Sequence, residues 1–481
     1  MSAPQTQPIS NQNSGFTLLF AILFFLVAAF ACYAPVLSPG YAVSDDFYHL
    51  ARTMRASDWY PTLLATTNLQ GRPLDGLLLA TVLPFMKTVS DFAYLRFVAL
   101  LGVAGVALCS YFLLVRFGWH RAHAAFLSVI FISIPAFQVL VSWSIASLYI
   151  FPAIGSYFAV WFGLKGLNEE FKRPTRIAYA GAGVISLFLA LSLYQPTSMF
   201  FWLFVAITIF NDASFTRKTA RRAILMLVIF GAAAVLNLAY FECAKAIIGT
   251  ASLLPQRSHL VTDLGNKLQW FLSEPLKEAL NLNRLQPSSK MAGTVALLLG
   301  VGLMLFFRGN FLMRAAQLLM AVSLIVLSYL PNLAIAENFG TYRTQAGLEV
   351  LILFYCALAA RGALRTLSGK GDGIIYGATL SGLAALSIMV AHYHVLNFFV
   401  IPQTLELGLM KQQVYGEFGI AMEKHPLILK REETLAPFVR YDEFGLPSLA
   451  QSWVPEPVTF LLLRERPADK TLVSSKAASQ R

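Results

Sequence analysis

Asp45 and Asp46 stand side by side in the segment GYAVSDDFYHLAR, residues 40–52, directly after the first long apolar stretch of the chain. A carboxylate can take a proton from an attacking group, so two of them at the edge of so apolar a chain are its best pointer to chemistry. Arg72, Arg96 and Arg343 also fall near ends of apolar stretches, and a guanidinium fork there can bind an anion at two points.

The elements that must position these residues are membrane helices. Hydrophobic residues make up 57% of the 481 and charged residues 13%, against about a quarter charged in an ordinary soluble domain. A bilayer-crossing helix needs roughly 20 mostly apolar residues, and about eleven such stretches are legible. They lie near residues 16–36, 93–115, 122–141, 145–164, 177–194, 196–211, 223–247, 291–307, 315–332, 345–361 and 374–396. The chain therefore reads as an all-α polytopic membrane protein.

Basic loops stay on the cytoplasmic side. With the N-terminus inside, Arg116 and Arg121, Lys165 to Arg176, Arg217 to Arg222, Arg308 and Arg314, and Arg361 to Lys370 all fall inside. Residues 1–15, which have no Lys or Arg, and the outer Arg52 and Arg55 oppose this, and the five later loops outvote them. The first stretch has no basic leader and no small-residue cleavage site, so it reads as a retained anchor. The net charge of +12 then belongs to loops facing anionic lipid, and argues for no nucleic acid partner.

This topology divides the chain into a disordered cytoplasmic segment 1–15, a transmembrane domain 16–401, a small outer domain 402–470 and a disordered tail 471–481. Within the second part, 37–92 and 248–290 are outer loops. All four cysteines, Cys32, Cys109, Cys243 and Cys356, fall in or beside predicted helices, so no disulfide-built outer domain and no metal spacing is expected.

In the first loop Ser44 is a candidate N-cap, and Phe47, Leu50, Ala51 and Met54 recur at helical spacing. A short interfacial helix follows, then a loop with Trp59, Tyr60 and Pro61, then Gly71-Arg72-Pro73-Leu74 opening a second interfacial helix to Met86. Ser90 and Asp91 cap the next span, which carries Arg96. Arg96, Glu242, Lys245, Glu349, His392 and His394 are nearly all the ionisable residues inside predicted spans, and each lies toward the same end. A pump or secondary transporter should instead hold such groups near the midplane. Tyr194-Gln195-Pro196 and residues 338–343 punctuate the same side, and Arg257, His259, Lys267, Trp270, Arg284 and Lys290 add a basic rim.

Plainer readings stand beside these. The Asp pair could serve only the helix dipole, Arg72 and Arg96 could snorkel to headgroups, and Tyr194, Trp59, Trp143 and Trp270 could be interface aromatics. In the tail, 403–424 reads as helical and Val458–Leu463 as a short strand, giving the outer domain an α/β character.

The acidic pair in the first outer loop, Gly71-Arg72-Pro73-Leu74 and the Arg96-bearing second span resemble the GT-C membrane glycosyltransferases. Together with Tyr194-Gln195, Tyr342-Arg343-Thr344 and Asp442-Glu443-Phe444-Gly445, they are similar to the bacterial O-antigen glucosyltransferases of the Gtr type. The resemblance implies a GT-C-like fold in a bacterial inner membrane with its site facing the periplasm. It also implies transfer of a hexose, glucose in that family, from a polyprenyl-phosphate donor to an acceptor glycan or glycolipid such as lipopolysaccharide. A flippase and a donor synthase would be its companions, and membrane lipid its surroundings. Adjacent helical residues point about 100° apart, so the acids divide their roles. Asp45 is the expected base. Asp46 would orient the acceptor, pair with an Arg, or hold a divalent cation such as Mg or Mn against the phosphate. Arg343 is the expected phosphate contact, with Arg72 and Arg96 behind it, and Tyr194, Gln195, Tyr342 and His49 would meet the sugar or acceptor. The main alternative is a transporter or flippase of lipid-linked sugar, which leaves the Asp pair without a task.

Overall fold

The computed structural model describes residues 14–210, 216–248, 259–367, 372–416 and 441–465. Within these the chain is nearly all helix, because apolar backbone away from water must satisfy its own hydrogen bonds. Helix α1 (Ser14–Tyr33) leads through a 3₁₀ turn, Ala34–Leu37, into the first loop. That loop holds α2 (Asp45–Arg55), α3 (Trp59–Leu69) and α4 (Pro73–Val82). Helix α5 (Phe92–Arg116) runs away from it, and α6 (Arg121–Ile132) and α7 (Pro135–Ser142) return. The latter two meet at a 59° bend, where Pro135 holds Ile134 in extended conformation and offers no N–H to continue the helix.

A 3₁₀ segment, Ser144–Ile150, precedes α8 (Phe151–Gly166), α9 (Arg173–Leu193), α10 (Gln195–Ser198), α11 (Phe200–Ile209) and α12 (Arg217–Ile248). The second loop carries α13 (Leu264–Ser273) and α14 (Pro275–Leu280). Then come α15 (Ser289–Phe306), α16 (Phe311–Leu327), α17 (Leu330–Ala334), α18 (Ala346–Leu367), α19 (Asp372–Val395), α20 (Ile401–Gly416) and α21 (Pro455–Glu465). Gly302 and Gly362 let α15 and α18 touch backbone to backbone. A Cβ at Gly362 would lie 2.6 Å from the amide nitrogen of Phe306, the close approach that small residues permit between membrane helices.

Among the described residues eight helices are long and apolar enough to cross a membrane, and the bent α6–α7 pair would make a ninth. Two of the eleven expected spans are shorter apolar helices, Gln195–Ile209 and Phe311–Leu327. Three local expectations are corrected. The segment with Trp59, Tyr60 and Pro61 is the first turn of α3, which accepts Pro61 because the first N–H groups of a helix have no internal acceptor. Val458–Leu463 is helical, not a strand. Its buried residues Val458, Leu461 and Leu462 sit at i, i+3, i+4, the spacing of one helical face. The described part of 402–470 is thus helices and turns with one isolated bridge, Tyr441 to Phe444, and not α/β. Ser44 does not cap α2 through its side chain and has φ 43°, a left-handed region disfavoured by a Cβ.

The 1–13 part of the N-terminal segment, Arg257, residues 417–440 of the tail and 466–481 lie outside the described residues. Between α19 and α20 a π turn, Leu396–Val400, aims the Phe398 carbonyl at the tail, where it accepts from the Gly445 amide at 3.0 Å. Phe444 packs on Phe398 and Phe399. By these contacts the tail packs on the junction of α19 and α20.

Candidate active site

A buried guanidinium must find acceptors for its N–H groups, and Arg96, with no exposed surface, finds them in the first loop. Its Nε donates to the Val36 carbonyl at 2.6 Å and its Nη2 to the Ser38 carbonyl at 2.9 Å. Nη1 donates to the Tyr41 carbonyl at 3.2 Å and to the Ser144 hydroxyl at 2.8 Å. Residues 36–41 are thereby fastened to the start of the Ser144–Ile150 turn. Arg96 belongs to this scaffold, which corrects its place among the phosphate contacts.

Asp46 completes the fastening. Fully buried, it accepts from the amides of Val43 (2.9 Å) and Ser144 (3.3 Å) on Oδ2 and of Ile145 (2.9 Å) on Oδ1. Burial pushes its carboxyl up to about 6, opposed by these amides and by the charge of Arg96. The three N–H donors take three of the about four lone-pair sites of this carboxylate, and the one left on Oδ1 is buried with the residue. The cation expected at Asp46 does not fit this donor set.

Asp45 turns the other way and is partly exposed. Its Oδ1 accepts from the indole N–H of Trp453 at 2.8 Å, and among the described residues Oδ2 accepts no hydrogen bond. His49 lies one turn on, along the same face. Burial lowers the pKa of His49, with Asp45 opposing and Arg52 reinforcing.

Arg343 sits on the 3₁₀ turn Tyr342–Thr344, which a Thr341–Thr344 capping box closes. Its Nε lies 2.9 Å from Oε1 of Glu443, and its amide donates to Oε2 at 3.1 Å. The guanidinium stands 4.5 Å from the centre of the Trp143 ring. Burial works to lower its pKa, and the field of Glu443, Tyr194, Asp45 and Tyr149 reverses this, so the net shift is upward. Burial raises the Glu443 carboxyl while Arg343 opposes. Nearby Glu278, whose carboxylate accepts from the Gln345 amide side chain, is pushed up by burial to about 7.

The third cluster starts at Gly71, whose φ of 68° suits glycine, and Pro73, which occupies the first turn of α4. Arg72 Nε donates to Oε1 of Gln195 at 2.9 Å, and Gln195 Nε2 donates to the carbonyls of Gln70 and Gly71. The Arg72 guanidinium lies 4.7 Å from the Tyr194 ring, which stacks on Tyr149 at 4.1 Å and 5°. The Tyr149 hydroxyl donates to Oδ2 of Asp75 at 2.9 Å. Asp75 is 2% exposed, and burial raises its carboxyl to about 7 against the pull of Arg72 and Tyr149.

Asp45, Tyr149 and Tyr194 thus lie close enough to Arg343 to act on its charge, and the Tyr194 ring also meets Arg72. The structure gives Gln195 and Tyr342 binding tasks inside the protein. The Tyr342 hydroxyl donates to the Leu285 carbonyl at 2.8 Å, and the residue is buried. Of the basic rim, Lys267 donates to the Glu337 carbonyl and Asn338, and His259 pairs with Glu337. Trp143, read as an interface aromatic, is buried beside Arg343. The sequence reading missed Asp75, Tyr149, Glu443 and Trp453 as site residues. For Asp75 a signal existed, since it lies three residues after Arg72 and so on the same helical face.

No protein-family model matches this sequence, nor does any curated protein. Two solved structures are similar to it. One is the apo crystal structure of the Archaeoglobus fulgidus oligosaccharyltransferase, 13% identical over 88% of this chain and 62% of that one, with a TM-score of 0.39. The other is the archaeal oligosaccharyltransferase AglB from Archaeoglobus fulgidus in complex with an inhibitory peptide and a dolichol-phosphate, 14% identical over 84% of this chain and 59% of that one, with a TM-score of 0.41. The chain spans about three fifths of the length of these structures.

Proposed function

We propose that the protein is a membrane glycosyltransferase. It moves a hexose, glucose in the first instance, from a polyprenyl-phosphate carrier to an acceptor glycan of the O-antigen or lipopolysaccharide kind, on the periplasmic face of a bacterial inner membrane. The observation that carries this reading is the partly exposed carboxylate of Asp45 in the field of the guanidinium of Arg343, which stands 4.5 Å from the centre of the Trp143 ring.

A sugar hydroxyl is a poor nucleophile, and a carboxylate that takes its proton in the transition state is typically worth ~10²–10⁴-fold. Asp45 takes that role through Oδ2, with Oδ1 held by Trp453. The hydroxyl oxygen forms a bond to the anomeric carbon, and the bond from that carbon to the phosphate oxygen breaks. The electron pair leaves on the lipid phosphate. Arg343 meets the growing charge, with the Glu443 carboxylate ion-paired to it at 2.9 Å. The Trp143 indole N–H, buried beside that guanidinium and without an acceptor among the described residues, adds a donor for the same anion. Arg72 and the Tyr149–Tyr194 pair bound the donor side, where rings can stack on a sugar. Asp46 and Arg96 act only by placing α2.

The test is turnover of purified protein in nanodiscs with polyprenyl-phosphate glucose and an acceptor glycan. Release of polyprenyl phosphate is expected, falling at least about 100-fold in Asp45→Asn. If no glycan acceptor gives release, and Asp45→Asn changes no glycan in cells, the reading fails.

A further inference from the structure

A second polar concavity lies at the far end of α5 from Arg96, roughly 30 Å along the helix at 1.5 Å per residue. It encloses about 200 Å³ between the α5–α6 turn and the facing ends of α18 and α19, and its walls include Trp119, His120, His123, Arg361, Arg365 and Tyr376. None of the described residues lining it is acidic. Its side-chain polar groups are guanidinium, imidazole and indole N–H groups, with the His123 ring already hydrogen-bonded to the Gly373 backbone and the Tyr376 hydroxyl donating to the Ala357 carbonyl at 3.0 Å. Guanidinium and indole donate and cannot accept, and a protonated imidazole does the same.

Trp119 supplies a second, independent sign. It is 4% exposed, and its Nε1 is buried with no acceptor among the described residues. A buried N–H without an acceptor is costly, and a ligand oxygen removes the cost. The Arg361 guanidinium lies 5.2 Å from the centre of the Trp119 ring, so a positive charge stands beside that unmet donor. His123 reaches in from α6 with its ring 5.1 Å from those of His120 and Tyr376. It fits because position 377 is glycine. A Cβ there would stand 3.0 Å from Nε2 of His123.

We propose that this concavity binds a phosphate-bearing anion. Cations grouped between membrane helices at the end that carries basic loops suit a lipid headgroup phosphate, and the same donors suit a free phosphate. The site is separate from the Asp45 rim, and the inference stands whether or not the transferase reading does.

The test uses the full chain in detergent micelles, probed with phosphatidylglycerol, phosphatidylcholine and inorganic phosphate. Native mass spectrometry of the wild type should show phosphatidylglycerol retained about tenfold over phosphatidylcholine, falling to near parity in Trp119→Phe and in Arg361→Gln. Trp119→Phe keeps an aromatic ring but removes the indole N–H together with the pyrrole part of the side chain, so it is read with a thermal midpoint that confirms the fold, and it decides the matter even if Arg361→Gln does not fold. No lipid preference, with inorganic phosphate quenching tryptophan fluorescence in the wild type and not in Trp119→Phe, would assign the site to free phosphate. Equal behaviour of the wild type and Trp119→Phe toward all three probes overturns the proposal.

Discussion

The indole N–H of Trp453 reaches Oδ1 of Asp45 at 2.8 Å, joining residues 408 positions apart. It is one of several ties between the tail and the first loop. Arg55 pairs with Glu456 and lies 4.4 Å from the Phe460 ring. Ser448 accepts from the Ser44 amide at 2.7 Å and donates to Gln403 at 2.6 Å. The Glu465 carboxylate accepts from the Val89 amide at 3.1 Å. A residue in the left-handed region, Ser44, persists when its surroundings over-determine it, and these contacts supply that restraint.

Trp453→Phe should therefore disturb the aim of Asp45 without removing it. The expected result is a fall in kcat of about three- to tenfold, with KM for the donor nearly unchanged, since orientation affects the step more than binding. Asp45→Asn should cost ~10²–10⁴-fold. Steady-state kinetics of both variants check this. A Trp453→Phe enzyme with wild-type kcat would leave the indole as cover alone.

Asp46→Asn should behave as a folding defect. The amide keeps one acceptor oxygen but turns an N–H₂ toward backbone N–H groups, and each buried amide left unmet costs about 1–3 kcal/mol. A lower thermal midpoint in detergent is expected, while turnover well below that midpoint falls far less than in Asp45→Asn. A chelator should leave activity unchanged, because the groups around Asp46 are donors. Loss of turnover in a fully folded Asp46→Asn protein would return this acid to the chemistry.

Arg343→Lys and Arg343→Gln separate charge from geometry. A planar fork held by Glu443 and Trp143 can meet phosphate oxygens at two points, which an ammonium cannot. Both variants should lower kcat/KM for the polyprenyl-phosphate donor, the glutamine by about 100-fold and the lysine by about tenfold. Glu443→Gln should act in the same direction and more weakly. Equal kinetics in all three would show that the phosphate is bound elsewhere, with Arg72 the next residue to vary.

Part of this site was legible from the chain. The acidic pair, the Gly71-Arg72-Pro73 turn and Arg343 stand where apolar periodicity breaks, and breaks mark helix ends. That Asp45 and Asp46 point different ways followed from the 100° step of a helix, and the structure turns only Asp46 into the backbone amides. The burial of Arg96 was not legible, because an Arg in the first turn of a span snorkels or folds inward according to which carbonyls a distant loop supplies. Glu443 and Trp453 were hidden for a related reason. Their partners lie about 100 and 408 positions away, and spacing arguments reach only a few residues. The misread strand at 458–463 shows the ambiguity of a short apolar run, which period alone does not settle.

Asp75 ties the Arg72 cluster to pH. Its carboxyl is raised from 3.8 to about 7, chiefly through burial, with Arg72 and Tyr149 opposing. A group whose folded pKa is raised binds its proton more tightly in the folded state. Its contribution to stability is then fully present below about pH 4, declines as pH rises through about 7, and stays flat above. A tenfold difference in proton affinity between the folded and unfolded chain is worth about 1.4 kcal/mol, so the full swing is on the order of a few kcal/mol. Asp75→Asn fixes the neutral form and removes that decline, while Asp46 and Glu278 titrate alike in both proteins. The thermal midpoint of the variant relative to wild type should therefore rise between pH 5 and pH 8. Parallel midpoint curves would mean that Asp75 is already ionised across this range, held so by Arg72.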